Sequence, residues 1–225
     1  MDLANVVPWG RSLKEYQAMF GLSDDDLNKK ILGCGDGPAS FNVEATERGC
    51  QVVSCDPVYQ FQVDEIRRRI DEVYPEIMTK MRQDADKYIW RSLSSVEHLG
   101  EVRMNAMSGF LADFDAGCQQ GRYISASLPS LPFSDFEFDL ALCSHYLFLY
   151  SDHVDGATHL KSMRELCRVA TEVRVFPVLS LDGEVSKHLD HVMTALSADG
   201  IDVSLQPVSY RFQKGATEML VVKSV

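Results

Sequence analysis

The sequence predicts an α/β fold, a doubly wound and mostly parallel sheet of seven strands with helices on both faces. Three observations favour this fold class. Short apolar runs alternate with helical patterns along the chain, as they do in parallel sheets. A glycine-rich turn joins the first apolar run to a helix, and an acidic residue ends the next run. The last two runs are separated only by a turn, which predicts a C-terminal antiparallel hairpin.

Length, charge and cysteine content narrow the class of protein. The 225 residues fit a single domain, 1–225. They include 33 acidic and 22 basic residues, a formal charge of -11, which disfavours a nucleic-acid partner. The first residues do not match a secretory leader, and no apolar run reaches the about 18 residues that span a bilayer. None of the six cysteines forms a Cys-x-x-Cys pair. We therefore expect a cytoplasmic protein without a membrane partner or a metal site.

The pattern of residues 1–29 predicts a helical cap that precedes the first strand. Residues 12–15, Ser-Leu-Lys-Glu, match a capping box that opens a short helix. Trp9, Arg11 and Tyr16 form an aromatic and cationic cluster in this segment. One interpretation places Arg11 and Tyr16 at a ligand. The other is a docking helix that buries Trp9 and Tyr16 for stability.

A βαβ unit is predicted over residues 31–56. Its turn carries Gly33, Gly35 and Gly37, and its second strand ends at Asp56, 19 residues after Gly37. A turn without side chains lets a ligand approach the backbone, and an acid at the end of the next strand can hold ribose hydroxyls. The unit therefore predicts a nucleotide-like cofactor. The alternative is a tight turn without a ligand, followed by an Asp that caps a loop.

The helix of this unit is expected to begin at Pro38 and to end at Gly49. A helical insertion is predicted over 60–121, because this stretch is too long for a simple crossover. Pro75 is expected to interrupt or kink its first helix, and residues 94–97 match a second capping box. Later strands are expected at 123–125, 138–143, 173–176, 201–208 and 218–222, with helices at 159–168 and 186–198.

With these features the chain resembles the class I, Rossmann-type S-adenosylmethionine-dependent methyltransferases. The resemblance covers residues 30–56 and 122–225. The segment LGCGDGPASF is similar to their cofactor turn. The segment SLPFSDFEFDLALCSH is similar to the stretch that leads from the adenine loop into strand four. ILGCGDGPASF together with CSHYLFLYSD is also similar to a bacterial branch without an assigned methyl acceptor.

The resemblance implies S-adenosyl-L-methionine as the cofactor, and it implies a position for each part of that molecule. The methionine moiety would lie at the turn, the ribose on Asp56, and the adenine on Pro57 and the Ser127–Leu128 loop. Arg11 would pair with the methionine carboxylate, and Tyr16 would face the sulfonium. The full set of expected cofactor residues is Gly33, Cys34, Gly35, Gly37, Asp56, Pro57, Ser127, Leu128, Arg11, Tyr16 and Ser144.

Two positions depart from the family pattern. The family has an acid two residues before the first glycine, and this chain has Ile31 there. The loop before Leu-Pro-Phe often carries an Asp for the adenine amine, and the matching position here is Ser127.

The end of strand four is the expected reaction chamber. His145 is predicted either to act as a base or to orient the acceptor, and the alternative is a histidine bonded to a backbone carbonyl. Tyr146 is the second catalytic candidate, and it either walls a pocket or packs in the core. Tyr150, Asp152 and His153 follow in the same segment.

Several functions remain open at this level. The expected acceptor is a small molecule, with a protein side chain as the alternative, since the chain is acidic and lacks the Asn/Asp-Pro-Pro-Tyr signature of base and glutamine methylation. The insertion is expected either to cover the pocket or, through Tyr74, Tyr88 and Trp90, to form a homodimer interface. A non-catalytic cofactor- or partner-binding module is one alternative function. An NAD(P)-dependent oxidoreductase is another, against which the C-terminal hairpin argues.

Overall fold

The computed structural model describes Leu3 and residues 7–224. The other N-terminal positions of the predicted 1–29 cap lie outside the described residues, as does Val225. The strands in chain order are β1 (Lys30–Cys34), β2 (Gln51–Cys55), β3 (Tyr123–Ile124), β4 (Phe138–Ser144), β5 (Ala170–Phe176), β6 (Asp202–Pro207) and β7 (Glu218–Lys223).

These strands form one sheet in the order β3-β2-β1-β4-β5-β7-β6. The first five strands of this order are mutually parallel, and β7 runs antiparallel to both β5 and β6. The predicted fold class, a mostly parallel seven-stranded sheet with a C-terminal antiparallel hairpin, is confirmed. The strand order reverses direction between β1 and β4, and such a switch point leaves a crevice at the carboxyl ends of the strands.

Helices cover both faces of the sheet. They are α1 (Leu13–Phe20), α2 (Asp24–Leu27), α3 (Phe41–Glu47), α4 (Val63–Gln83), α5 (Val96–Gln119), α6 (Gly156–Val169) and α7 (Leu189–Ala198). The core on one face joins α1, α3 and the insertion helices, with Tyr16, Phe41 and Leu99 fully buried. The core on the other face joins α6 and α7, with Met163 and Val192 fully buried. No helix among the described residues is long and apolar enough to cross a membrane.

The start of α3 corrects the prediction for the βαβ unit. The helix begins at Phe41 rather than at Pro38, with Ser40 as its N-cap. Gly37 has a left-handed backbone with φ of 57°, and the Ala39 N–H donates to the Gly37 carbonyl at 2.9 Å. The chain therefore makes a tight turn before the helix can start. Residues 38–40 therefore form an irregular segment at the carboxyl edge of the sheet instead of a first helical turn.

Two features of the insertion also differ from expectation. The helix α4 continues through Pro75 to Gln83, so the predicted interruption is wrong. Proline removes only one main-chain donor, and burial of Ile70 before the proline and of Met78 after it holds both halves of this 21-residue helix against the core. The second capping box, predicted over residues 94–97, is wrong, because Ser95 is the N-cap of α5 and its hydroxyl accepts the N–H of His98 rather than that of Glu97, at 3.1 Å.

Candidate functional site

A cavity of about 540 Å³ opens at the carboxyl edge of the sheet, at the switch point between β1 and β4. The turn after β1, the end of β2 and the end of β4 meet there because Cys34 pairs in register with both Cys55 and Cys143. Nine of the predicted site residues line the cavity, namely Arg11, Tyr16, Gly35, Gly37, Asp56, Pro57, Ser144, His145 and Tyr146. The volume suits a ligand of cofactor size together with a small second molecule.

The three glycines of the turn are required for three different reasons. A Cβ on Gly33 would lie 1.9 Å from a carboxylate oxygen of Asp36. Gly35 has a left-handed φ of 73°, and a Cβ there would lie 2.9 Å from the Cβ of Tyr146. Gly37 is also left-handed but has open space around it. The turn therefore presents bare backbone to the cavity, and Gly33 makes room for an acid.

That acid, Asp36, lies inside the turn and was not among the residues predicted from the sequence. Its carboxylate accepts the Tyr16 hydroxyl at 2.7 Å and the Ser54 hydroxyl at 2.6 Å. Burial raises the pKa of Asp36 to about 7 against the opposing effect of these two hydrogen bonds. A charged residue within an otherwise apolar glycine turn was the available signal, since such a residue is costly to bury without a function.

Asp56 follows β2 and faces the same turn. Its two carboxylate oxygens accept the Val58 N–H at 2.8 Å and the Gly37 N–H at 3.0 Å. Burial raises the pKa of Asp56 to about 6, although both backbone hydrogen bonds oppose that shift. Each oxygen keeps a second lone pair that can accept a further donor. The residue is thus fixed in place with acceptor capacity to spare.

Neither carboxylate has a cationic partner among the described residues. The buried acids Glu15 and Asp26 elsewhere in the chain differ, because each makes an ion pair with an arginine. Two buried, uncompensated carboxylates beside a glycine turn favour binding of a positively charged ligand.

The N-terminal segment folds over the glycine turn and brings one cation to the cavity. A Cβ on Gly10 would lie 2.0 Å from the Pro38 carbonyl oxygen, so the two backbones are in direct contact. Arg11 lines the cavity and donates to the Trp9 carbonyl at 3.2 Å, but its buried Nε has no hydrogen-bond partner. Burial, and then the positive charge of Arg103, lower the pKa of Arg11. An anionic group in the cavity would satisfy this guanidinium.

The helix α1 is held by a buried network that reaches the insertion. Arg103 of α5 pairs with Glu15 at 2.7 Å, and the Tyr210 hydroxyl donates to the same carboxylate at 3.1 Å. The ring of Tyr16 stacks on Phe41 with centroids 4.0 Å apart, and Tyr16 also lines the cavity. The structure thus combines features of both interpretations of this segment, because Tyr16 is packed in the core and also borders the cavity.

His145 directly follows β4 and has a left-handed φ of 51°, which is uncommon for a residue other than glycine. Its N–H donates to the Phe176 carbonyl at 2.7 Å, and its ring packs edge-on against the Phe176 ring. Its Nδ1 lies 3.0 Å from the Ser144 hydroxyl oxygen, rather than against a backbone carbonyl. Burial, followed by the charges of Arg11 and Arg103, lowers the pKa of His145 well below its usual value. The imidazole is therefore neutral at pH 7.

Other residues of this segment take different positions. Tyr146 and Tyr150 line the cavity with ring centroids 6.4 Å apart, and His153 also lines it. Phe148 is fully buried in the core. Asp152 is exposed and pairs with Lys187 at 2.7 Å, away from the lining.

Four predicted cofactor residues do not line the cavity. Gly33 lies within β1 behind Asp36, and Cys34 and Leu128 are buried in the core of the α6 and α7 face. Ser127 is exposed.

The insertion forms the outer wall of the cavity. We use "the wall" for residues 77–90 together with the β6–β7 loop, residues 208–217. The two parts are joined where the Ile89 N–H donates to the Phe212 carbonyl at 2.7 Å and where Tyr88 stacks on Phe212 at 4.7 Å. Tyr88 lines the cavity, while Tyr74 and Trp90 pack against the core of the α1 face.

No family model matches the sequence. An uncharacterized protein of Methanocaldococcus jannaschii is 29% identical over 224 residues, which cover 99% of this chain and 98% of that protein.

Among solved structures, the chain is similar to magnesium protoporphyrin IX methyltransferase from Synechocystis PCC 6803 with bound SAM, at 12% identity and a TM-score of 0.46 over 90% of this chain and 73% of that one. It is also similar to a putative S-adenosyl-L-methionine-dependent methyltransferase from Methanococcus maripaludis, at 9% identity and a TM-score of 0.48 over 95% and 83%. For a SAM-dependent methyltransferase from Aquifex aeolicus, the values are 12% identity and a TM-score of 0.44 over 99% and 97%.

Proposed function

We propose that this chain is an S-adenosyl-L-methionine-dependent methyltransferase that acts on a small molecule. The observation that carries the proposal is the pair of buried carboxylates at the glycine turn, Asp36 and Asp56, neither of which has a cationic partner among the described residues. S-adenosylmethionine has a sulfonium and an ammonium group, which would supply the missing positive charge.

The residues of the cavity fit the remaining parts of this cofactor. The guanidinium of Arg11, which lines the cavity, would take the methionine carboxylate, and the free lone pairs of Asp56 would take the ribose hydroxyls. Pro57 borders the cavity and would contact the adenine, whereas the Ser127–Leu128 loop does not line the cavity. The turn of Gly33 and Cys34 would shape this subsite through the backbone.

Asp36 accounts for the absence of the expected acid at position 31. Ile31 is fully buried in the core, where a carboxylate would have no access to the cavity. Asp36 instead brings a carboxylate to the turn from five residues further along the chain, folding back over Gly33. This observation supports binding of the cofactor at the turn.

The same acid argues against a nicotinamide cofactor. A dinucleotide places its anionic pyrophosphate at the glycine turn, where the buried Asp36 would repel it. Tyr210 and Lys214 have the Tyr-x-x-x-Lys spacing that short-chain oxidoreductases use for proton donation, but both lie in the β6–β7 loop. The Tyr210 hydroxyl is engaged with Glu15 and Arg103, so it is not a free proton donor.

The chemistry divides between cofactor and protein. The cofactor supplies an electrophilic methyl group when bound. The chain's own residues align the acceptor and exclude water, and His145 at the end of β4 offers a neutral imidazole to the cavity. The wall adds Ile77, Tyr88 and Phe212 as apolar and aromatic lining for an acceptor. A partly enclosed cavity of this kind fits a small molecule better than a protein or nucleic-acid substrate.

Isothermal titration of the purified chain with S-adenosylmethionine, S-adenosylhomocysteine and NADH tests the proposal. We expect micromolar binding of the first two ligands and no binding of NADH. The Asp36→Asn variant should bind S-adenosylmethionine more weakly than the wild type does, because it lacks the charge that complements the cofactor. Binding of NADH alone would overturn the proposal, and binding of none of the three would favour the non-catalytic module.

A further inference from the structure

Exposed large apolar side chains are few among the described residues, and they are unevenly placed. They are Val7, Phe136, Leu181 and Val185, each more than half exposed. Val7 and Leu181, which are 60% and 53% exposed, both line the cavity at the carboxyl edge of the sheet. Phe136 precedes β4 at the opposite edge. Single exposed apolar residues are ordinary, but two at the mouth of one cavity indicate a ligand-binding surface.

The mouth of the cavity can be located from the exposure of its lining. Four of the lining residues are exposed, namely Val7, Lys80, His153 and Leu181. Each comes from a different part of the fold, because they lie ahead of α1, in α4, between β4 and α6, and between β5 and α7. None of the four is acidic, although the chain has a formal charge of -11. Half of the residues at the mouth are therefore apolar, and none of them would repel an apolar or anionic ligand.

Leu181 is held at the mouth by a tight hairpin between β5 and α7. The Ser180 N–H donates to the Glu184 carbonyl at 2.8 Å. The hairpin lies against the wall, since a Cβ on Gly215 would be only 3.4 Å from Cδ1 of Leu179. Backbone hydrogen bonds and packing thus keep the apolar side chain of Leu181 in water, where contact with an apolar group of a ligand would be favourable.

The apolar character of the mouth continues into the cavity. Ile77 and Leu149 line it as half-buried residues, and Met81 and Phe212 line it as buried ones. The two buried carboxylates lie instead at the glycine turn, where the cofactor is expected. An apolar path therefore leads from the aromatic part of the wall to the exposed mouth. We use "the apolar path" for these four residues together with the two apolar residues of the mouth.

We propose that the methyl acceptor carries a flexible apolar chain, such as an alkyl chain, and that this chain leaves the cavity over Val7 and Leu181. The inference rests on the proposed methyl transfer for the role of the ligand, but not for the apolar path itself. The reacting end of the acceptor lies near the end of β4, and its chain extends along the apolar path into the mouth. A lipid surface fits these residues less well, because the exposed apolar residues lie at opposite edges of the sheet and the chain is acidic.

Titration with alkylphenols tests the proposal. The probes are para-ethylphenol, para-butylphenol and para-hexylphenol, which share a ring that suits the aromatic wall and differ only in chain length. Each is added to the free protein and to the protein saturated with S-adenosylhomocysteine. For the wild type we expect the affinity to rise about two- to fourfold with each added CH₂ group, the upper value being that of a fully buried group. Absence of binding, or an affinity that does not depend on chain length, would overturn the proposal.

A matched pair of variants separates the apolar path from general adhesion of apolar probes. Leu181→Gln changes the mouth, whereas Val185→Gln changes an exposed residue of the same hairpin that does not line the cavity. Leu181→Gln should lower the ratio of hexylphenol to ethylphenol affinity by about threefold or more, nearly the contribution of one buried CH₂ group. Val7→Gln should lower the same ratio, and Val185→Gln should leave it unchanged. A ratio that Leu181→Gln does not change, or that Val185→Gln lowers equally, contradicts the proposal.

Sedimentation with phosphatidylcholine vesicles covers the lipid alternative. We expect the wild type to stay in the supernatant. Sedimentation that Leu181→Gln and Val185→Gln both abolish would assign these residues to a lipid surface and overturn the proposal. If S-adenosylhomocysteine does not bind, but Leu181→Gln still lowers the ratio in the free protein, the proposed function fails and the apolar path stands. If S-adenosylhomocysteine binds and chain length has no effect, the apolar path fails and the proposed function stands.

Discussion

The floor of the cavity, residues 30–56, and its wall differ in how they are fixed. The floor is fixed by the backbone, since the Gly35 N–H donates to the Cys55 carbonyl at 2.9 Å and Asp56 accepts the Gly37 N–H. The wall is fixed mainly by apolar packing and by a few backbone hydrogen bonds between residues 85–90 and the β6–β7 loop. Backbone geometry tolerates little change, whereas apolar packing tolerates exchange of similar side chains. The difference suggests that the floor binds an invariant cofactor and that the wall selects the acceptor.

The largest expected effect is on the floor. Gly35→Val places a branched side chain against Tyr146 at a left-handed position, at a cost of about 2–5 kcal/mol from strain and overpacking. We expect no detectable binding of S-adenosylmethionine by titration. Gly49→Val is the matched control, because Gly49 is also left-handed but has open space around it at the end of α3. Equal loss of binding in both variants would contradict the special role of the turn.

A smaller effect is expected when the floor keeps its backbone and loses one ligand contact. Asp56→Ala should weaken binding of S-adenosylmethionine by about 1–3 kcal/mol, the cost of leaving hydrogen-bonded partners without an acceptor. Asp155→Ala is the control, because Asp155 likewise accepts a backbone N–H, that of Thr158 at 2.7 Å, but lies outside the cavity lining. Unchanged affinity in a folded Asp56→Ala protein would remove Asp56 from the cofactor site.

The floor was easier to predict than the wall, for a physical reason. The requirements of the floor are local, because a strand, a bare turn and an acid at the next strand end are close in sequence as well as in space. The wall depends on a long-range contact, because Tyr88 meets Phe212 more than 120 residues away along the chain. The sequence pattern predicted helices in the insertion but did not indicate which side chains face the cavity.

Two features of the floor were not predicted correctly, and both depend on contacts between residues that are distant in sequence. Asp36 was overlooked because its partners, Tyr16 and Ser54, come from other elements and are not visible in the local motif. The start of α3 was misplaced because Pro38 is typical of a first helical turn, whereas here the left-handed Gly37 and the contact with Gly10 hold it in a loop. Tertiary contacts decided both positions, and at Pro38 they overrode a local helix propensity.

The acid in the floor should also make stability depend on pH. Burial raises the pKa of Asp36 to about 7 in the folded protein, above its ordinary value of 3.8. Between these values the folded protein holds a proton that the unfolded chain has lost, so the free energy of unfolding falls as the pH rises. Asp36→Asn removes this titration. The decrease in the free energy of unfolding between pH 5 and pH 8 should therefore be smaller in the variant by about 1–2 kcal/mol. A single titrating group can change the free energy of unfolding by at most about 1.4 kcal/mol per pH unit.

Denaturant unfolding of both proteins across this pH range measures the difference. Asp56 remains in the variant with its pKa raised to about 6, so a weaker dependence should persist below that pH. Parallel curves for the wild type and Asp36→Asn would show that Asp36 ionises normally in the folded state.

The smallest expected effect on the cofactor comes from the wall. Ile77→Trp enlarges an apolar side chain that lines the cavity from α4. Sites that share no partners behave additively, so the affinity for S-adenosylmethionine should stay within about twofold of the wild-type value. Arg68→Trp, on the exposed face of the same helix, is the control for the effect of the ring itself. A fall in cofactor affinity in Ile77→Trp alone would mean that the cofactor extends to α4, so that floor and wall would form a single binding site.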